Sequence, residues 1–490
     1  MNTLSFDPAR LAELQALHPW DNPRYTLTDM GDAALFADLY RNECRFCTDR
    51  GCWYTYDGVA WREDRAAVGP VNRAWQLADL LSCLLKDIAD PDRREVYHRH
   101  IGRWRRRTNR EAILKDAALV HPVTNDVFDK DPLLFNCLNG TIDLNDCSFH
   151  PHDPSDFLSH VANVNYDPAA ESARWNRFTM EIMDENVLEH SELPDWEDRF
   201  EQYAYKFNFL QAALGYALTG LTHLDCMFIL YGASTRNGKS TLAEAFAGMM
   251  GDYAMTAMPE TLAVQQYPTG RGPSEDVARL KGARFVTLPE GDRQLTLSPS
   301  LVKQFTGGDT ITARYLHENS FQYRPQFKIF MNTNHLPRIT DDTLFASGRV
   351  KIIRFQKHFS KDEQDPELKA VFADPACRSA ILNWALQGWE RCRTDGLPDS
   401  RWVDESISEY QHDMDKLGLF MEECLEPCLG SRVRAADVYR RYQSWCDENG
   451  LAAESSISFR RSMGQRVTYK RGNMPSSRIT TNLILDLRIL

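Results

Sequence analysis

The chain has 490 residues, 43% of them hydrophobic and 26% charged, with a formal net charge of -12. That length suggests about two to four domains of ordinary soluble composition, and no apolar run approaches the roughly 18 residues of a membrane span. The acidic balance argues against a protein coated in nucleic acid but leaves room for a narrow basic surface, because local potential outweighs the sum. The first 20 residues have no basic segment leading into an apolar core, so a cytoplasmic chain with no membrane partner is expected. The 12 cysteines are scattered, as free thiols in a reducing compartment are.

Residues 29–39 have the spacing of a helix. Residues 52–56 and 59–61 flank Asp57-Gly58, a strong two-residue turn signal, and are expected to pair as a hairpin. Cys44, Cys47 and Cys52 lie close together, yet no second pair stands at zinc-ribbon spacing, so reduced and partly buried thiols are favoured over a zinc site. Residues 70–118 read as mostly helical. Within them residues 93–110 hold eight arginines and one acid around Tyr97 and Trp104. Two readings of this stretch stand equal: contact with phosphates and bases, or a solvated helix face paired with acids elsewhere. Residues 128–168 read as short strands and turns, with Asn139-Gly140 closing a hairpin, and residues 170–222 as helical again, with an acidic, exposed connection at 185–201.

The next stretch, CMFILYGASTRNGKSTLAEAFAGMM at 226–250, combines an apolar strand, a loop of small and polar residues, and a helix with Leu242, Ala245, Phe246 and Met249 at helical spacing. Strand, loop, Gly-Lys-Ser-Thr and helix form the context of a phosphate loop. Backbone amides of the loop and helix start converge on phosphates, Lys239 adds positive charge, and the Ser240 hydroxyl suits a Mg²⁺ ligand. The loop departs from the usual spacing: five residues, not four, separate Gly232 from Gly238-Lys239.

Residues 284–288 form a second apolar strand running into Pro289-Glu290. An acid at such a strand tip holds Mg²⁺ through water or polarises an attacking water, and Glu290 is the candidate, with Asp292 a weaker second. A helix at 301–306 carries Lys303. Two strands at 311–316 and 321–323 join through a tip at 317–320. A further strand at 326–331 ends near Asn332 and Asn334, where an amide orients water or senses a γ-phosphate. Arg349 stands just before another strand, positioned to reach the γ-phosphate of a neighbouring subunit. Residues 361–415 read as helical, with Ile381, Ala385, Gly388 and Trp389 on one side. Residues 416–490 carry helices at 435–446 and 458–466 and a strand pair, a winged-helix pattern.

The runs GASTRNGKST, RFVTLPE, LVKQFTGGDTITARYLHENSFQYRPQFKIFMNTNHLPRI and FASGRVKIIRF, in that order, resemble the superfamily 3 helicases, and among them the phage and plasmid primase-helicases related to the poxvirus primase-helicase. CWYTYDGVAWRED and FNCLNGTIDL resemble the domain that precedes the helicase in those proteins. The resemblance implies an α/β AAA+ core with a parallel sheet flanked by helices, an α+β domain before it and a winged-helix-like domain after it. The implied boundaries are 1–205, 206–360, a helical connector at 361–415, and 416–490. ATP and Mg²⁺ are the implied cofactors. The implied ATP-binding residues are Gly232, Asn237, Gly238, Lys239, Ser240 and Thr241, and the catalytic ones Lys239, Glu290, Asn334 and Arg349. Ser240 and Glu290 would serve the metal, and Lys303, Arg314 and His317 the DNA. The resemblance further implies a ring, usually of six subunits, that moves 3′ to 5′ on single-stranded or forked DNA beside a separate primase or initiator. Only about 50 residues precede the hairpin near Trp53, too few for a primase fold, so no primer synthesis is expected. Two other classes remain open from the residues: an ATP-switched origin-remodelling protein without processive unwinding, and a regulatory ATPase with no nucleic acid partner.

Overall fold

In the computed structural model two helices open the chain, α1 (Pro8–Ala16) and α2 (Asp29–Leu39). The structure describes residues 8–183, 196–264, 275–291, 295–316, 318–339, 341, 343–398, 401–414, 416–449, 451, 453–464, 466–473 and 480–490. Thr28 caps α2 by accepting from the Gly31 amide, and Asp29 and Asp32 sit in its first turn, where the helix dipole favours acids. Strands β1 (Cys44–Cys47), β2 (Cys52–Tyr56) and β3 (Trp61–Asp64) form an antiparallel sheet in that order. The turn between β2 and β3 is longer than its Asp-Gly pair suggests. The Asp57 carboxylate accepts from the amides of Val59 and Ala60, so β3 begins at Trp61 rather than Val59.

Helices α3 (Val68–Leu84), α4 (Pro91–Trp104) and α5 (Arg107–Ala117) close over α2 around Phe36, Leu77, Ile101, Trp104 and Ile113. Seven of the eight arginines of the arginine-rich stretch have partners among the described residues. Arg93 pairs with Asp21, Arg99 with Glu95, Arg103 with Asp29, Arg105 with Asp79 and Arg107 with Glu111. Arg94 donates to the Ile88 carbonyl and Arg110 to that of Trp104, while Tyr97 and Trp104 are buried. The pairing with acids that one sequence reading expected is present, and Arg99, Arg105 and Arg107 remain largely exposed within it.

A second antiparallel sheet follows, β4 (Leu134–Cys137), β5 (Gly140–Asp143) and β6 (Ser148–His150), then α6 (Ala173–Met183) and α7 (Trp196–Ala217). Most of the acidic connection expected at 185–201 lies outside the described residues. Next come β7 (Met227–Tyr231), α8 (Lys239–Met250), β8 (Ala254–Thr256), α9 (Glu275–Ala278), β9 (Phe285–Leu288), β10 (Thr296–Leu297) and α10 (Pro299–Thr306). After them come β11 (Ile311–Ala313), β12 (Phe321–Tyr323), β13 (Lys328–Thr333), β14 (Arg338–Ile339), α11 (Thr343–Ala346) and β15 (Val350–Arg354).

Five of these strands make one parallel sheet in the order β15-β7-β13-β9-β8. Such strands are covered on both faces, which is why Met227–Tyr231 reads as an unbroken apolar run. Buried polar groups stitch this sheet, and the long helix that follows it, to the preceding chain. Arg284 donates to the carbonyls of Leu218 and Leu134, each at 2.7 Å, beneath the Tyr253 ring. Trp389 Nε1 donates to the Leu144 carbonyl at 2.7 Å.

Helix α12 (Leu368–Ala373) packs on α8, and α13 (Pro375–Asp395) returns over α7. Ile381, Ala385, Gly388 and Trp389 all face inward, as their spacing indicates. The crossing is tight: a Cβ on Gly388 would lie 2.0 Å from the Gln211 carbonyl oxygen, and one on Gly215 would lie 2.2 Å from the Trp389 nitrogen. Gly388→Ala is therefore expected to cost about 1–3 kcal/mol through overpacking, read as a lower melting temperature. An unchanged melt would show that the two helices can separate without penalty.

The chain divides into two compact units, Met1–Ser400 and Arg401–Leu490. The expected boundaries at 205/206 and 360/361 fall inside the first unit, where the buried contacts just described cross them. The second unit holds α14 (Arg401–Met414), α15 (Lys416–Cys424), β16 (Leu425–Arg434), α16 (Ala435–Glu448), α17 (Ser456–Met463), β17 (Tyr469–Asn473) and β18 (Thr480–Ile489). Its antiparallel sheet runs β16-β18-β17 against Phe420, Val438, Tyr442, Trp445, Phe459 and Ile484. Helix, strand, two helices and two strands with the first strand beside the last is a winged-helix arrangement. Strand β16 and helix α15 are additions to the sequence reading. Among the described residues no helix is long and apolar enough to cross a membrane.

Candidate nucleotide site and its surroundings

At the C-terminal end of β7 the chain passes through residues 232–238 into α8. A Cβ on Gly232 would lie 2.0 Å from Asn237 Nδ2 and 2.9 Å from Lys239 Nζ, so this glycine has a fixed role despite the longer spacing. The extra residue is accommodated by a crown that other groups tie down. Asn237 Nδ2 donates to the Ser234 carbonyl at 2.7 Å, His358 Nδ1 donates to that of Thr235 at 2.8 Å, and the Phe359 amide donates to that of Arg236 at 2.9 Å. Gly238 caps α8 at φ 85°, a left-handed conformation glycine adopts freely, and supplies no side-chain cap. A Cβ there would lie 2.4 Å from Ile182 Cγ2 and 3.3 Å from the Phe178 ring, so α6 forms a wall of the loop.

Lys239 begins α8 with only 5% of its surface exposed. Its Nζ donates to Asn334 Oδ1 at 2.8 Å and to the Gly232 carbonyl at 3.3 Å. Burial lowers its pKa to about 8, opposed by the Glu290 charge. Asn334 in turn donates from its amide to Glu290 Oε1 at 3.2 Å and from Nδ2 to Oε2 at 2.9 Å. Glu290, Asn334 and Lys239 thus form one hydrogen-bonded line across three neighbouring strand ends, which the β7-β13-β9 order makes adjacent. A buried ammonium whose bonds go to two neutral oxygens, beside the first turn of a helix with no side-chain cap, is a donor set suited to an anion. Ser240 is exposed on that first turn, next to Thr241, so its hydroxyl is open to a metal accompanying the anion.

Arg349 and Lys303 lie elsewhere. Val350 of β15 pairs with Met227 of β7, which puts Arg349 at the start of these strands while the phosphate loop follows their far end. Arg349 bonds Asp225 Oδ2 at 3.2 Å and Thr306 Oγ1 at 2.8 Å. Lys303 bonds Asp341 at 3.0 Å and Thr343 Oγ1 at 2.8 Å. Arg314 follows β11 in the β11–β12 hairpin, and the strand stops at Ala313 rather than continuing to 316. Tyr315 and Tyr323 fasten the hairpin to α9 by donating to the carbonyls of Ala278 and Val277. His317 and Asp292 lie outside the described residues.

Sequence reasoning missed Asp225, Thr306, Ile182 and His358, because each meets its partner only through the fold. The three clustered cysteines are buried on β1 and β2, and burial pushes the Cys44 and Cys52 thiols up to about 12. Among the described residues no group of three or more His, Cys, Asp or Glu side chains is placed to hold a metal ion.

Three family models match the chain. Residues 33–184 match "D5 N terminal like", residues 230–349 match a family of unknown function (DUF5906), and residues 412–473 match "Poxvirus D5 protein-like". Two of the three carry the D5 name, at either end of the chain, and support a D5-like primase-helicase family. The D5 N-terminal-like match ends just past α6, the wall of the loop. The middle match runs from β7 to Arg349 and takes in Lys239, Glu290 and Asn334. The chain is 23% identical over 439 residues to a helicase-named protein of Acanthamoeba polyphaga mimivirus, covering 81% of this chain and 43% of that one. It is 24% identical over 408 residues to a helicase-named protein of Frog virus 3, covering 69% and 41%. It is 20% identical over 344 residues to a primase-named protein of African swine fever virus, covering 66% and 34%. The chain therefore spans less than half the length of these relatives. The apo structure of the NrS-1 C-terminal region aligns at a TM-score of 0.47 and 9% identity, over 93% of this chain and 99% of that one.

Proposed function

We propose that the chain is the ATP-driven motor of a DNA helicase of the superfamily 3, AAA+ type, serving the replication of a phage, plasmid or other mobile element. The observation that carries this is the Lys239–Asn334–Glu290 line at the mouth of a glycine-bounded loop. Lys239 and the first amides of α8 hold the β- and γ-phosphates of ATP. Ser240 and, through water, Glu290 serve Mg²⁺, which when bound neutralises charge on those phosphates. Glu290 accepts a proton from the attacking water, and Asn334 holds that carboxylate in place from two donors. Arg349, at the other end of the sheet from Lys239, serves the site of the next copy in a ring, six copies being the expected number. The β11–β12 hairpin with Arg314, together with Lys303, contacts single-stranded DNA, and movement runs 3′ to 5′. The names of the viral relatives support a replicative helicase role; a separate primase or initiator is the partner in this reading.

The test is steady-state ATP hydrolysis with and without single-stranded DNA, followed by separation of tailed forks. Strong stimulation by DNA and fork opening from a 3′ tail are expected. Hydrolysis indifferent to DNA in an assembled preparation would return the chain to the regulatory ATPases.

The lowered pKa of Lys239 gives a pH signature. Its ammonium is present below about pH 8 and is lost as the pH rises through that value. A bound triphosphate favours the ammonium and raises the pKa, so binding takes up a proton in the alkaline range. Calorimetry in buffers of different ionisation enthalpy should show more uptake at about pH 9 than at about pH 7.5, with affinity falling above about pH 8. Equal uptake at both would mean that Lys239 does not contact the phosphates.

A further inference from the structure

The tip of the β11–β12 hairpin is held by the N-terminal sheet, more than 250 residues earlier in the chain. Arg50, in the turn between β1 and β2, bonds Glu318 Oε2 at 2.6 Å. Arg65, just past β3, bonds Glu318 Oε1 at 2.8 Å. Each guanidinium takes a separate oxygen of the one carboxylate. Behind them Glu63 aligns both arginines: its Oε1 accepts from Arg65 Nε at 2.7 Å and from Arg50 Nη2 at 3.4 Å. The Arg50 guanidinium also lies over the Tyr315 ring at 5.2 Å, and that ring stacks on Phe321.

Two features make this more than a structural ion pair. First, solvent reaches it: the side chains of Arg65 and Glu318 are 63% and 28% exposed, so the partner can be exchanged without unfolding. Second, two planar guanidinium groups on two oxygens of one anion are the arrangement that a phosphodiester accepts. Glu63 keeps both forks oriented whichever anion fills them. We propose that Arg50 and Arg65 form a contact for the phosphodiester backbone of a nucleic acid strand, which Glu318 fills until a strand arrives. Strand entry and release of the hairpin tip are then a single exchange of one anion for another. The proposal rests on the DNA-motor reading and adds to it a strand contact outside the ATPase sheet, coupled to the hairpin.

The experiment uses the full chain and a fluorescent 20-nucleotide oligothymidylate. Affinity is measured by anisotropy from about 50 to 200 mM salt, and hydrogen exchange is followed at the amides of residues 311–323. Glu318→Gln should bind the oligonucleotide about threefold more tightly, the scale of one exposed ion pair, and its hairpin amides should exchange faster without DNA. Wild-type hairpin amides should exchange faster once the oligonucleotide is added. The Arg50→Ala, Arg65→Ala double variant should bind more weakly, with a salt slope shallower by about 1.4, two contacts at about 0.7 each on a single strand. Arg65→Ala alone, at an exposed position, should shift the slope by about 0.7 and serves if the double variant misfolds. Wild-type affinity and slope in the arginine variants, or unchanged hairpin exchange in Glu318→Gln, overturns the contact. If wild type then still binds DNA and hydrolyses ATP faster for it, the motor reading stands and only this contact falls. If wild type binds no oligonucleotide even at low salt, both fall together.

Discussion

Lys239→Ala is expected to abolish ATP hydrolysis while leaving the fold intact. The side chain is buried, and among the described residues its Nζ bonds only the neutral oxygens of Asn334 and Gly232. In that setting the ammonium is a cost to the folded chain, as its lowered pKa records. Removing it should leave the melting temperature level or slightly raised. The same ammonium beside transferring phosphates is worth much more, because preorganised charge in a water-poor site acts where negative charge develops. Losing one such donor costs about 10²–10³ in rate, and here nucleotide binding should weaken as well. Turnover in a coupled assay and a thermal melt on the same preparation separate the two effects. Wild-type turnover would remove the phosphate-loop assignment. A collapsed melt would mean that Lys239 holds the loop rather than the ligand.

Arg349→Ala is expected to stop hydrolysis without stopping ATP binding. Within one chain Arg349 sits with Asp225 and Thr306, at the opposite strand ends from Lys239, so in the proposed ring its effect on chemistry comes through a neighbouring copy. An arginine supplied from another subunit is worth about 10³–10⁵ in rate. The half-buried Asp225 pair and the Thr306 hydrogen bond it gives up are worth about 1 kcal/mol each, so stability should fall by no more than about 2 kcal/mol. Mixing Arg349→Ala with Lys239→Ala subunits should restore part of the activity, since some junctions then combine an intact loop with an intact arginine. Absence of rescue in mixed assemblies would count against a site shared between copies.

The parts of this arrangement that were legible in the sequence are those written in consecutive residues. The run 227–231 shows its strand because a parallel sheet covers both faces; Glu290 and Asn334 stand just past strand ends, and Lys239 opens the helix that follows the glycine-bounded loop. Gly232 looked displaced by one residue, and only the packing of Asn237 beneath it shows that the loop needs a glycine there. The arginine-rich stretch was ambiguous for the opposite reason. Its partners Asp29 and Asp21 lie some 70 residues upstream, beyond any local pattern. Strand β16 was missed because Pro427 and Gly430 interrupt it where its pairing with β18 shifts register, and both residues ordinarily argue against a strand. The pairing of Arg50 and Arg65 with Glu318 leaves no local mark at all.

The seating of Ile182 and Phe178 on Gly238 bears on how the molecule can be dissected. An expressed fragment beginning at residue 206 would contain every residue of the Lys239–Asn334–Glu290 line yet lack α6. The rings of Phe372 and Trp384, which Trp175 of that helix covers, would be bared to solvent, and the loop would lose the surface that fixes Gly238. Such a fragment would fail for want of a wall rather than for want of catalytic groups. Truncations meant to isolate the ATPase should begin upstream of residue 173, and inactivity of any shorter piece says nothing about the chemistry of the intact chain.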